Sequence, residues 1–282
     1  MNHMHIKIKS SGIHSGLIRI VHDSGKPYQP NNPNAMMNFS VLLLNASESF
    51  ETDSTQERAL ILLNGSAIIR WEHKSIPSEN SSIKELNVQR SSLFDENPWI
   101  ISLPQGVNCS ILASTNKCEF LIVETMNPRF FAPRIFTPKD CQSEHRGAGT
   151  MRETSTRIVR TVFDYGNHPE SNLVIGEVVN YPGKWSSYPP HHHPQPEIYH
   201  YRFLPKQGFG FGMLNGGAVL IQDGDTCLII HDDVHSQTSA PGYAMWYLWA
   251  IRHLEGNPYG KVTFLEEHTW VMDKDAKIWP FE

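Results

Sequence analysis

The sequence predicts an all-β protein made of two strand-rich halves. Three observations carry that expectation. Apolar runs are short and are interrupted by turn residues roughly every eight to twelve positions, the rhythm of a sandwich or barrel. The 3.6-residue periodicity of an amphipathic helix is scarce. Glycine and proline reach 19 each while charged residues stay at 19%, a balance that suits turn-rich sheets better than solvated helices.

In the first half, FSVLLLNA (39–46), ALILLNGSAIIRWEH (59–73), WIISLP (99–104), NCSILAS (108–114) and EFLIVETM (119–126) read as strands. Asn64-Gly65 inside the second run is expected to turn a hairpin, and SIPSENSS (75–82) is a polar connector. From 127 the composition shifts to prolines and basic residues with little alternation, which reads as an extended crossover. A second strand set follows: RIVRTVFD (157–164), LVIGEVVNY (173–181), EIYHYRFL (197–204), GFGFGML (208–214), GAVLIQ (217–222), DTCLIIHD (225–232) and YAMWYLWAIR (243–252). The expected division is 1–130 for a first barrel, 131–157 for the crossover and 158–282 for a second barrel. Two halves of similar length suggest a duplicated barrel, although no repeat is visible residue by residue.

The composition narrows the function classes. A net charge of -5 and a pI near 6.3 provide no broad basic field, which argues against nucleic acid as a partner. No apolar run approaches the roughly 20 residues that span a bilayer. The N-terminus, MNHMHIKIKSSG, has no apolar leader segment, so a cytoplasmic protein is expected. Four cysteines without a CxxC pair read as reduced, buried thiols.

Chemistry concentrates in SSYPPHHHPQPEIYHYRF (186–203). Residues two apart in an extended segment share a face. His191 and His193 can therefore aim at one point while His192 turns away, and Glu197 can bring a carboxylate to the same side. A fourth donor is expected from TCLIIHDDVHSQ, which offers His231 and His235 at a strand end. Three histidines and a carboxylate suit one divalent metal, zinc ahead of manganese, iron or nickel, with positions left open for a ligand.

At these residues the chain resembles a known family. GKWSSYPPHHHPQPE and GDTCLIIHDDVH look like the first and second metal motifs of cupins. WSSYPPH, YRF, QGFGF, APGY and HTWV, with RIFTPKD and RGAG between the halves, are similar to the 5-deoxy-glucuronate isomerases of myo-inositol catabolism. The resemblance implies a bicupin, two double-stranded β-helix (jelly-roll) barrels in one chain. It implies His191, His193, Glu197 and His235 as ligands, with His192 where the family usually has lysine. Two departures stand out: His231 and Asp233 replace the family's Pro and Gly before the last histidine, and the loop before Glu197 is short. In the first barrel, SLPQGVNC (102–109) resembles the second cupin motif with Cys109 in place of histidine, so that barrel is expected to hold no metal and to serve structure or a homo-oligomer interface.

The implied reaction is an aldose–ketose isomerisation, 5-deoxy-glucuronate to 5-dehydro-2-deoxy-gluconate. A related uronate ketol-isomerase, an iron dioxygenase and a non-enzymatic sugar-binding cupin are the alternatives. Alternation from Glu197 makes Tyr199 and Tyr201 barrel-lining and candidates for hydrogen bonding or proton relay. The sugar acid's carboxylate needs a cation, for which Arg160, Lys184 and Arg202 are candidates, Arg202 only if a bulge turns it inward. Phe209 and Phe211 are expected to line the pocket.

Overall fold

The computed structural model describes residues 5–6, 15–26, 34–53, 55–73 and 82–280. The connector at 75–82 and the N-terminal segment fall almost wholly outside them. Among the described residues nearly all regular structure is strand, and no helix is long and apolar enough to cross a membrane.

The second half is built from two sheets. One has seven strands, in neighbour order His5–Ile6, Thr226–Ile229, Glu197–Leu204, Ala244–Arg252, Leu173–Asn180, Arg157–Phe163 and Gln142–Arg146. The other has five: Gly217–Gln222, Phe209–Leu214, His235–Ser239, Trp185–His192 and Thr263–Phe264. Between them lies a core of Tyr199, Tyr201, Phe203, Leu214, Ile221, Met245 and Tyr247. The first half wraps a separate core, which includes Leu60, Ile69, Ile101, Ile111 and Phe120.

The strand Glu57–His73 dominates that first half and corrects the expected hairpin. It runs unbroken for 17 residues. Its first part pairs with Cys118–Thr125 and Ile100–Leu103, its second with Ser82–Arg90 and Cys109–Ala113. Asn64-Gly65 marks the corner where it changes partners, beside a register shift between Leu62 and Asn64. Gly65 sits at φ 95, and a Cβ there would meet the Cys118 Cα at 2.9 Å. The dipeptide bends a strand instead of reversing it, a use glycine serves at sheet corners. All four cysteines are buried free thiols, and burial pushes the Cys109 thiol up to about 12.

A third core joins the halves, with Phe39, Ile61 and Val123 packing in one cluster with Ile175, Trp246 and Leu248. The segment expected as a plain crossover contributes to both sides. Arg134–Phe136 pairs with Ile100–Leu103, and Gln142–Arg146 pairs with Arg157–Phe163. Inside the interface Arg90 of the first half makes a two-pronged contact with Glu177 of the second, at 2.7 and 2.8 Å, and all three partners of the group, Arg160 included, are buried. The terminal nitrogens also reach carbonyls, those of Leu62 and Glu96 for Arg90 and those of Leu93 and Phe94 for Arg160, while the Nε of each arginine is buried with no hydrogen-bond partner. A carboxylate between two guanidinium groups whose terminal protons are shared among carbonyls is a paired buried charge cluster.

Two expectations follow. Glu177→Ala leaves two buried guanidinium groups uncompensated and is expected to lower stability by about 3–5 kcal/mol, read from urea unfolding. An unchanged midpoint would contradict this. His168 is buried against Phe131, Phe136 and Phe163, meets Ser102 Oγ through Nε2 at 3.0 Å, and burial lowers its pKa from 6.5 to about 4. The unfolded chain takes up this proton first, so its stabilisation is complete above the unfolded value and drains away as pH falls from there toward 4. Replacing it in His168→Gln should flatten this acid limb of stability against pH; a limb of unchanged slope would show that His168 does not contribute to it.

Candidate metal centre

Strand ends deliver the donors to one mouth of the second half. His191 is the penultimate residue of the strand Trp185–His192 and stands directly opposite His235, the first residue of His235–Ser239. Glu197 begins the neighbouring sheet's strand Glu197–Leu204, and the His193–Pro196 link carries the chain across. His193, Glu197 and His235 are buried, and their donor atoms lie within 4.8 Å of one another. His191 stands beside this trio, its ring centroid 4.5 Å from that of His235. His192 points out to Asp232, 2.7 Å away. His231 lies in the preceding tight turn at φ 64 and is not part of the group.

The hydrogen bonds decide which nitrogen faces inward. A carbonyl can only accept, so each Nδ1 bonded to one carries the proton. His191 Nδ1 donates to Pro189 O at 3.2 Å, His193 Nδ1 to Gln195 O at 3.0 Å and His235 Nδ1 to Asp233 O at 2.9 Å. A ring that carries its proton there and is neutral holds its lone pair on Nε2. Burial lowers the His191 pKa to about 4 and that of His235 well below the ordinary value, keeping both neutral.

These lone pairs converge on a carboxylate. Glu197 Oε2 is 3.2 Å from His193 Nε2 and 3.5 Å from His235 Nε2. Acceptor facing acceptor in a buried site is unfavourable. Burial raises the Glu197 pKa, and one proton on the carboxyl would satisfy one nitrogen. His235 Nε2 would still be buried with no hydrogen-bond partner. A divalent cation satisfies all three at once, so the donor set fits a metal ion on its own chemistry.

His191, His193 and Glu197 line a cavity of about 540 Å³. Tyr199 lines it as expected, with its hydroxyl 3.3 Å from Ser187 Oγ. Tyr201 does not: it donates to Gln237 Oε1 at 2.6 Å inside the core. The three expected cations are elsewhere. Arg160 is held in the Glu177 cluster on the opposite face of its strand. Arg202 reaches His200 and Glu119 of the first half, so strict alternation holds and no bulge turns it inward. Lys184 lies in the turn before Trp185–His192, outside the lining, where its carbonyl accepts from Thr238 Oγ1.

Phe209 and Phe211 are 38% and 47% exposed on the outer face and pack edge to face at 6.0 Å. The reason is the intervening glycine. A Cβ on Gly210 would lie 2.3 Å from Thr238 O, so the inner face takes the glycines and the phenylalanines turn out.

Sequence reasoning missed several lining residues. Tyr247 and Trp249 lie on Ala244–Arg252, Arg146 and Arg157 on the adjacent edge pair, and Tyr259 and Lys261 on the segment that straps over the mouth. Tyr247 and Trp249 had a signal, the alternation of YAMWYLWAIR; Tyr259 and Lys261 had none. Trp249 fits because Gly176 opposite it has no side chain: a Cβ would lie 2.3 Å from the indole.

A direct expectation concerns the metal. Protein purified in the presence of a divalent metal should hold about one ion per chain, and His193→Ala or His235→Ala should weaken that binding about 100-fold or more while the far-ultraviolet circular dichroism is kept. Equal metal content in the variants would remove these histidines from the ligand set.

Known proteins add the family. The model of the KduI/IolB family matches residues 18–271. Proteins named 5-deoxy-glucuronate isomerase align at 24% identity over 80% of this chain and 86% of the Lacticaseibacillus casei protein, and at 25% over 83% and 86% for Geobacillus thermodenitrificans. The crystal structure of an IolB-like protein from Salmonella typhimurium superposes with a TM-score of 0.78 at 22% identity, covering 96% of this chain and all of that one. An oxalate decarboxylase from Lactobacillus farciminis shares the fold at TM-score 0.61 and 14% identity, over 94% and 87%. Matched along nearly all its length by one family model, the chain belongs to the KduI/IolB family.

Proposed function

We propose that the chain is a metal-dependent aldose–ketose isomerase that converts 5-deoxy-glucuronate to 5-dehydro-2-deoxy-gluconate in myo-inositol catabolism. The observation that carries this reading is the buried His193–Glu197–His235 group, whose facing lone pairs call for a cation, at the wall of a polar cavity in a chain whose relatives are named for that reaction. The cavity volume falls in the range that encloses small-molecule ligands, about 300–1,000 Å³.

In this reading His193, Glu197 and His235 hold the metal, and His191 supplies the fourth donor. Zinc heads the choice, with manganese, iron and nickel also compatible with the donor set. When bound, the ion supplies Lewis acidity toward the carbonyl and hydroxyl oxygens of the sugar. The protein's own groups do the rest. Burial raises the pKa of Tyr199 and of Tyr247, so both phenols keep their protons and act as donors to an oxygen that gains charge as the enediol forms. Ser186 Oγ holds the Tyr247 hydroxyl at 2.6 Å, and Ser187 Oγ lies 3.3 Å from Tyr199 and 3.5 Å from Tyr247, linking the two phenols. Tyr259 packs against the His193 ring at 5.0 Å and shields it from water. We place the enzyme in the cytoplasm, with the metal-free first half as its structural partner.

Proton NMR of the metal-loaded protein with 5-deoxy-glucuronate in deuterated water should show loss of the aldehyde signal and deuterium at the carbon that receives the proton. A chelator should stop the reaction, and the divalent metal should restore it. No turnover by the metal-loaded protein would overturn the assignment. Tyr247→Phe is expected to lower kcat by about 100-fold with little change in KM, the behaviour of a group whose hydrogen bond forms in the transition state.

A further inference from the structure

Cations with an open line to the cavity come from a different place than expected. Arg157 begins the strand Arg157–Phe163 and lies directly opposite Arg146 of Gln142–Arg146. The alternation that sends Arg160 into the interface sends Arg157, Val159 and Thr161 into the cavity. Two like charges opposed across a strand pair repel each other and destabilise the sheet unless something relieves them.

Relief within the protein is partial. Arg146 uses Nε on Glu144 at 2.9 Å, an exposed contact that leaves both its terminal nitrogens available. Arg157 is half-buried and spends only Nη1, on Ser155 O at 2.7 Å and Ser155 Oγ at 2.9 Å. Among the described residues its Nε and Nη2 have no hydrogen-bond partner, and no carboxylate pairs with it.

We infer that Arg157, with Arg146 opposite it, is the carboxylate-binding pair of the cavity and the determinant that selects sugar acids over neutral sugars. The inference rests on the isomerase reading for its substrate. The guanidinium fork matches the two oxygens of a carboxylate, and a carboxylate lying between the two arginines removes their mutual repulsion. Lys261, the other cation lining the cavity, is an exposed point charge on the strap and offers no such fork. One end of the substrate would thus be fixed by charge while its carbonyl end faces the donor trio, leaving the aldehyde or ketone as the part that reacts.

The test separates binding from turnover. For Arg157→Gln, KM for the sugar acid should rise about 10- to 100-fold, the effect of a lost hydrogen-bonded ion pair, with metal content unchanged. Arg157→Lys should recover part of that loss. Arg146→Gln, on an exposed edge strand and safe for folding, should raise KM by roughly 3- to 10-fold. In thermal shift, D-glucuronate should stabilise the wild-type protein more than D-glucose does, and Arg157→Gln should erase that preference. A preference retained in both glutamine variants, or kcat lost with KM unchanged, overturns the pair. If the wild-type protein turns over no substrate yet prefers D-glucuronate through Arg157, the pair stands and the isomerase reading falls.

Discussion

The two-pronged contact of Arg90 with Glu177 orients the molecule. It runs from the first half to the second through a fully buried interface, and Arg160 joins it from the neighbouring strand. A buried carboxylate between two guanidinium groups tolerates little displacement, since each donor removed leaves a charge without a partner. With Arg160 committed to the interface, alternation commits Arg157, Val159 and Thr161 to the opposite side. The same holds on the next strand, where Glu177 faces the first half and Val174 and Val178 face the cavity. The inward face of the second half is therefore set by a polar contact made on its outward face.

The metal centre depends on a second set of constraints, local ones. Three backbone carbonyls, at Pro189, Gln195 and Asp233, take the Nδ1 protons of three histidines and turn their Nε2 lone pairs inward. Each carbonyl is two residues from its histidine, so chain geometry alone produces the tautomer. Burial then keeps His191 and His235 neutral and makes the lone charge of Glu197 costly without a cation. The donors of a group that could hold a metal are thus oriented by backbone carbonyls outside the donor set.

Legibility from sequence followed the range of the interactions. That His193, Glu197 and His235 come together, with His191 beside them, was readable because period-two alternation and spacing act within a few residues, and strand ends concentrate such side chains. Tyr199 was readable for the same reason. Tyr201, two residues on, shares that parity yet lies deeper in the barrel, where Gln237 takes its hydroxyl. Depth along a strand is a property of the packed sheet. Asn64-Gly65 misled because the same glycine conformation serves a hairpin and a strand corner, and only the partners of Glu57–His73 distinguish them.

By itself, the sequence determined an all-β chain in two halves, a His/Glu group on the second half that could hold a metal, and residue pairs that must share a face. Strand periodicity and turn chemistry carry that information locally. Which face looks into the cavity was decided by tertiary structure. A strand such as RIVRTVF offers Arg157 and Arg160 on opposite sides, and nothing in its seven residues ranks them. The ranking comes from Glu177 and from the carbonyls of Leu93 and Phe94 across the interface, partners between 17 and 67 residues away in the chain, which hold one arginine and leave the other facing the cavity.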